Sequence, residues 1–178
     1  MLWVWIIGGV LAGLVLLVVV VGSLLPKEHV ASRSIQLAQP PEAVWATITD
    51  FARQPTWRPE LRSVELVSEE NGQPIWREIP KRGMPMTLQT MEADQPRRLV
   101  RRIADPKLPF GGRWIYELEP ADGGCRLTIT EQGEVYNPVF RFISRCFIDM
   151  ASTIAGYQKN LAAHFGQQVE PQPVKAGL

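Results

Sequence analysis

Charged side chains on strand faces that are otherwise apolar are the residues of this sequence best placed to do chemistry. Arg101 falls between Leu99 and Ile103 at the two-residue period of a strand, and Glu131 falls on the same side as Leu127 and Ile129. Arg33 and Arg77 follow the pattern less cleanly. A charge on a buried face must be paired or hydrogen-bonded, or its pKa shifts until it is neutral. Two arrangements meet that demand: a structural ion pair between Arg101 and Glu131, or a polar anchor for the head of an amphipathic ligand. In the second, Trp114, Tyr116, Leu118, Leu127, Ile129 and Met150 line the ligand's cavity, and Phe110 sits on a rim or lid running from Lys107 to Gly112. Ligand cavities have this makeup, mostly apolar with a few convergent polar groups. The same residues also suit a solid core.

Other chemistry finds little support. No nucleophile motif, phosphate-binding loop or metal-ligand spacing occurs, so the sequence offers no catalytic set, metal site or cofactor site. His29, beside an N-terminal apolar segment, and His164, near the end of a helix, read as solvent-facing. Cys125 and Cys146 read as buried thiols acting as small hydrophobes, and their spacing does not require a disulfide. A net charge of +1 gives no electrostatic basis for nucleic acid as a partner.

These side chains need elements to position them. Alternation predicts a strand over 29–38, and Pro41 opens a short helix, Glu42 to Asp50, with Val44, Trp45 and Ile48 inward. Pro55 and Pro59 limit residues 51–61 to a second short helix or turn. A meander follows: strands at 63–69 and 75–79 around an Asn71-Gly72 turn, then 86–93, 98–104, 113–119 and 126–136, with a loop at 105–112. Phe140, Ile143, Phe147, Met150, Ile154, Tyr157, Leu161 and Phe165 then recur at steps of three and four. They predict one helix from about Pro138 to Phe165, roughly 40 Å long. Val139, Phe142, Cys146 and Ala151 widen its apolar face. Strands joined by short turns are antiparallel, so the expected fold is α+β, a curved antiparallel sheet around a long C-terminal helix. The expected division is an anchor at 1–25, a domain at 26–168 and a disordered tail at 169–178.

Leu2 to Val21 carries no charged or strongly polar side chain and is long enough to cross the ~30 Å hydrocarbon core as a helix. Trp3 and Trp5 suit a membrane-water boundary. A cleaved signal peptide is the rival, with a weak site at Val21-Gly22-Ser23. Against it, no Lys or Arg precedes the run, and the run exceeds a usual signal core. The expectation is a retained single-pass anchor in a bacterial-type inner membrane. Lys27 and Arg33 then place the soluble domain on the cytoplasmic side. Gly9 and Gly13 form a small-xxx-small pair, a spacing common in membrane spans anyway.

Several stretches carry a resemblance to a known family. They are Pro-Pro-Glu-Ala-Val-Trp at 40–45, Trp57-Arg58-Pro59 ahead of Val64-Glu65-Leu66, and Leu108-Pro109-Phe110-Gly111-Gly112 ahead of Trp114. The run from Glu131 to Phe142, joining the last strand to the helix, is the strongest. With the order of elements, these resemble the START-like (SRPBCC) superfamily, in its polyketide cyclase/dehydrase and lipid transport branch, over about residues 29–166. The resemblance implies a helix-grip fold, and its members range from lipid carriers to enzymes. The preferred reading is a tethered module binding a lipid or other apolar small molecule. The alternative is a cyclase or dehydratase acting on a polyketide-like substrate, with Glu131 or Arg101 assisting proton transfer or enolate stabilisation. A protein-interaction module without a ligand is a third.

Overall fold

A computed structural model describes residues 2–70, 72–147 and 149–174 of the chain; Asn71 of the expected hairpin turn lies outside them. The apolar N-terminal stretch forms one helix, α1 (Leu2–Leu24), whose side chains from Trp3 to Leu17 are exposed. Strand β1 (Glu28–Leu37) follows, then α2 (Pro41–Thr49) and a 3-10 turn (Phe51–Thr56). The meander comprises β2 (Leu61–Glu70), β3 (Gln73–Pro80), β4 (Met86–Asp94), β5 (Arg98–Ile103), β6 (Phe110–Ala121) and β7 (Gly124–Val135). Helices α3 (Pro138–Phe147) and α4 (Met150–His164) and a two-residue strand, β8 (Gln172–Pro173), are the last elements of the described residues. The strands form one curved antiparallel sheet in the order β2-β3-β4-β5-β6-β7-β1-β8. This is the expected architecture.

Burial follows the strand period on the face turned toward the helices. Leu99, Tyr116, Leu118, Leu127 and Ile129 meet Ile154, Tyr157 and Leu161 of α4, with Val44, Trp45 and Ile48 of α2 closing one end. Gln158 of α4 is fully buried, and its amide donates to the carbonyls of Arg33 (2.9 Å) and Leu127 (3.2 Å), fixing the helix over β1 and β7.

The single long helix expected from the apolar spacing is two helices. Asp149 has extended backbone angles and its side chain accepts from the Ala151 amide, so it caps a new helix. Hydrophobic spacing does not sense such a cap. The break also rotates the faces: in α3 Arg141 and Ser144 are buried, whereas Val139, Ile143 and Cys146 are exposed. Cys146 is therefore not the buried thiol its place in the pattern suggested; Cys125 is buried, and both cysteines are free. The tail differs as well. Gln172 and Pro173 pair with Ser34 and Arg33 of β1, and the Val174 amide donates to the Ser32 carbonyl, so residues 169–174 are not the unstructured run that their lack of periodicity suggested.

Helix α1 packs against α3. Gly22 meets the Pro138 carbonyl so closely that a Cβ there would collide with it. The buried Arg141 guanidinium donates to the carbonyls of Gly22 (3.0 Å) and Leu25 (3.1 Å), and also to those of Val135 (3.0 Å) and Tyr136 (3.1 Å). One cation thus caps the C-terminal carbonyls of α1 and ties them to the end of β7.

Candidate functional site

Between the concave sheet face and the C-terminal helices lies a cavity of about 250 Å3. Its walls are mainly apolar, from Met86, Leu88, Ile103, Trp114 and Tyr116. Its deep end is charged. Glu78 of β3 accepts from Arg58 (2.9 Å to Nη1) through one carboxylate oxygen and from Arg101 (2.9 Å to Nη1) through the other. All three side chains are less than a tenth exposed. Local structure explains the placement of Arg58: the 3-10 turn bonds the Arg58 amide to the Gln54 carbonyl at 2.8 Å, and the Gln54 side chain, itself anchored on the Ile48 carbonyl, accepts from Arg58 Nη1 at 2.9 Å. The outer edge of the same guanidinium meets Glu60 at 2.8 Å. Arg101 lies over the Phe51 ring, 4.1 Å from its centroid.

These charges set the protonation of their neighbours. Burial alone works against a charged Arg58, but Glu78 and, to a lesser degree, its other neighbours, Glu60 among them, more than offset it, and its pKa is raised above the ordinary value. Tyr116 and Tyr157 also titrate above their ordinary range, chiefly because burial disfavours a phenolate, with Arg101 and Arg58 opposing. Both phenols stay protonated at neutral pH and serve as donors.

Toward the surface the lining changes to His29, Phe110, Gly111, Glu131, Phe140 and Ser144. His29 Nε2 stands 3.4 Å from Glu131 Oε1, with both side chains largely covered. The ring lies against Gly133, where a Cβ would strike it, so glycine there makes room for the imidazole. His29 is thus not the solvent-facing residue that its position beside α1 suggested. Phe110 opens β6 rather than sitting in a loop, and its ring stacks on Phe140 of α3 (centroids 5.8 Å apart). His164 is exposed and rests beside Trp57.

Five of the nine residues expected at a ligand site therefore line one cavity: Arg101, Glu131, Trp114, Tyr116 and Phe110. Leu118, Leu127 and Ile129 are in the solid core instead, 3%, 0% and 0% exposed, beneath α4. The side chain of Met150 lies outside the described residues. The expected Arg101–Glu131 ion pair is not formed; Arg101 takes Glu78, and Glu131 takes His29. Two residues of the site, Glu78 and Arg58, are not among those the sequence pattern singles out. Glu78 shares the inward face of β3 with Trp76, and an alternation in phase with Trp76 would have found it; Arg77, the residue singled out there, is exposed. Arg58 follows an aperiodic, proline-broken segment that offers no such signal. Among the described residues no group of three or more His, Cys, Asp or Glu side chains could hold a metal ion.

Residues 28–170 match the family model described as polyketide cyclase / dehydrase and lipid transport. The chain belongs to that family. No curated protein is significantly similar to it in sequence. Among solved structures, a START superfamily protein from Mycobacterium smegmatis aligns with a TM-score of 0.61 at 16% identity, over 76% of this chain and 96% of that one. A Thermus thermophilus protein aligns at 0.60 with 22% identity, over 75% and 93% of the two chains. The Zhui aromatase/cyclase of a Streptomyces species aligns at 0.61 with 14% identity, over 76% and 93%. At such identities these structures establish that this member of the family has the START-like fold.

Proposed function

We propose that this family member is a membrane-anchored START-like domain that holds a small apolar or amphipathic molecule between its sheet and its C-terminal helices. The observation that carries the reading is the cavity itself, apolar along its walls and ending on the Arg58–Glu78–Arg101 cluster. Its surroundings support the membrane half. Helix α3 presents Phe140 and Ser144 to the cavity mouth and exposes Val139 (38%) and Ile143 (42%), while α1 packs on the same helix. An apolar span docked there holds the mouth close to the bilayer surface, on the cytoplasmic side of an inner membrane by the charges of Lys27 and Arg33. Size restricts the cargo. About 250 Å3 equals roughly eight water volumes, adequate for a single short chain or one ring system. Alkaline carbonate extraction with N-terminal sequencing tests the anchor, which should stay in the membrane pellet with its apolar segment intact. Solvent extraction of the purified protein, followed by mass spectrometry of the extract, tests the cargo.

A cyclase or dehydratase is the second reading, favoured by one observation. The His29–Glu131 pair on the cavity wall is a carboxylate and an imidazole within reach of a bound molecule, a pairing able to pass a proton. Under this reading Glu131→Gln abolishes turnover of a polyketide-like substrate without altering its binding.

A further inference from the structure

The deep end of the cavity holds more donors than the protein satisfies. Arg101 is 2% exposed, and its Nη1 donates to Glu78. Among the described residues, its Nε and Nη2 have no acceptor. These two nitrogens form one edge of the guanidinium, with their N–H bonds parallel, which is the edge that receives both oxygens of a carboxylate. One oxygen of Glu78 is taken by Arg58 Nη1, which also donates to Gln54, while Arg58 Nε donates to Glu60. Phe51 covers a face of Arg101 and can accept none of its in-plane hydrogens. Tyr116, protonated beside it, contributes a further hydroxyl donor to the lining. Buried donors without partners are costly, and a buried cation short of acceptors favours a negative guest.

We propose that the cavity is specific for a small monocarboxylate, bound through the Nε–Nη2 edge of Arg101 with its apolar part along Trp114, Leu88 and Met86. This rests on the ligand-cavity reading above and narrows it to acids rather than alcohols, sterols or phospholipids. The volume admits roughly ten heavy atoms, the size of octanoate. A charge-assisted two-point contact to a buried guanidinium discriminates strongly against a head with one neutral oxygen.

The test is calorimetric titration of the full chain in lipid nanodiscs, with empty discs subtracted, using octanoate, octanol and octylammonium at neutral pH. Octanoate should bind on the order of ten- to hundredfold more tightly than octanol, and octylammonium most weakly. Arg101→Lys, which keeps the charge but removes the two-point edge, should bring octanoate down to the level of octanol. Near-UV circular dichroism checks that the variant is folded; if it is not, the three wild-type ligands still decide. Equal binding of octanoate and octanol overturns the carboxylate assignment and leaves an apolar ligand cavity standing. Octanoate preference that survives in folded Arg101→Lys overturns it too, because the acid then sits elsewhere. Absence of binding by all three overturns both this assignment and the ligand-cavity reading beneath it.

Discussion

Arg141 and Gly22 are 119 residues apart in sequence, yet the guanidinium of one donates to the carbonyl of the other at 3.0 Å. The contact joins the apolar N-terminal helix to the helix that edges the cavity, so the position of one constrains the other. Arg141→Met keeps most of the volume and removes every hydrogen bond to the four carbonyls. The expected loss is about 2–4 kcal/mol in chemical denaturation. Trypsin should also cut after Lys27 much faster than in the wild type, because that segment loses its tie. Unchanged proteolysis would mean that α1 is held by packing alone.

Glu78 serves two buried arginines, whereas Glu60 meets one of them from a side chain 46% exposed. Glu78→Gln leaves two buried cations sharing a neutral amide and should destabilise the fold by about 3–5 kcal/mol. Glu60→Gln, screened by water, should cost under about 1 kcal/mol. Urea denaturation of the two variants provides the comparison.

Alkaline pH should unfold the protein by a specific route. Tyr116 and Tyr157 have folded-state pKa values raised above the ordinary tyrosine value, because burial disfavours the phenolate. Below pH ~10 both states hold these protons, and the tyrosines leave stability independent of pH. Above it the unfolded chain releases them first, so it binds fewer protons than the folded one and stability falls as pH rises. Melting temperatures from pH 8 to 11.5 should stay level and then drop; Tyr116→Phe should soften the drop.

The two thiols should differ sharply in reactivity. Burial pushes the Cys125 thiol up to about 11, and its side chain is fully enclosed, while Cys146 is exposed on α3. One equivalent of maleimide per native chain is expected, at Cys146. A fluorophore placed there reports on the apolar flank of α3, and its emission should shift to the blue in vesicles relative to detergent-free unfolded chain.

The sheet was legible because its strands alternate cleanly: Trp114, Tyr116 and Leu118 on β6, and Leu127 and Ile129 on β7, all face the helices as their spacing requires. What alternation does not carry is depth. Leu127 and Trp114 share a face, but one lies under α4 and the other beside the cavity, and only the position of the helix separates them. Arg101 was found for the same reason that its partner was mistaken. Spacing gives the direction of a side chain, whereas the choice of Glu78 over Glu131 depends on which strand lies beyond β4, and that is β3. The helix break at Asp149 was missed because a capping residue and a polar interruption look alike in an apolar pattern.

The central claim is that the cavity carries a small molecule, and native mass spectrometry of the intact chain released from nanodiscs tests it most directly. The account requires a single one-to-one adduct, present as purified or acquired on incubation with a total lipid and acid extract, and small enough for a cavity of about 250 Å3. A chain that stays bare after that incubation, or one that retains only two-chain phospholipids in variable number, would contradict it.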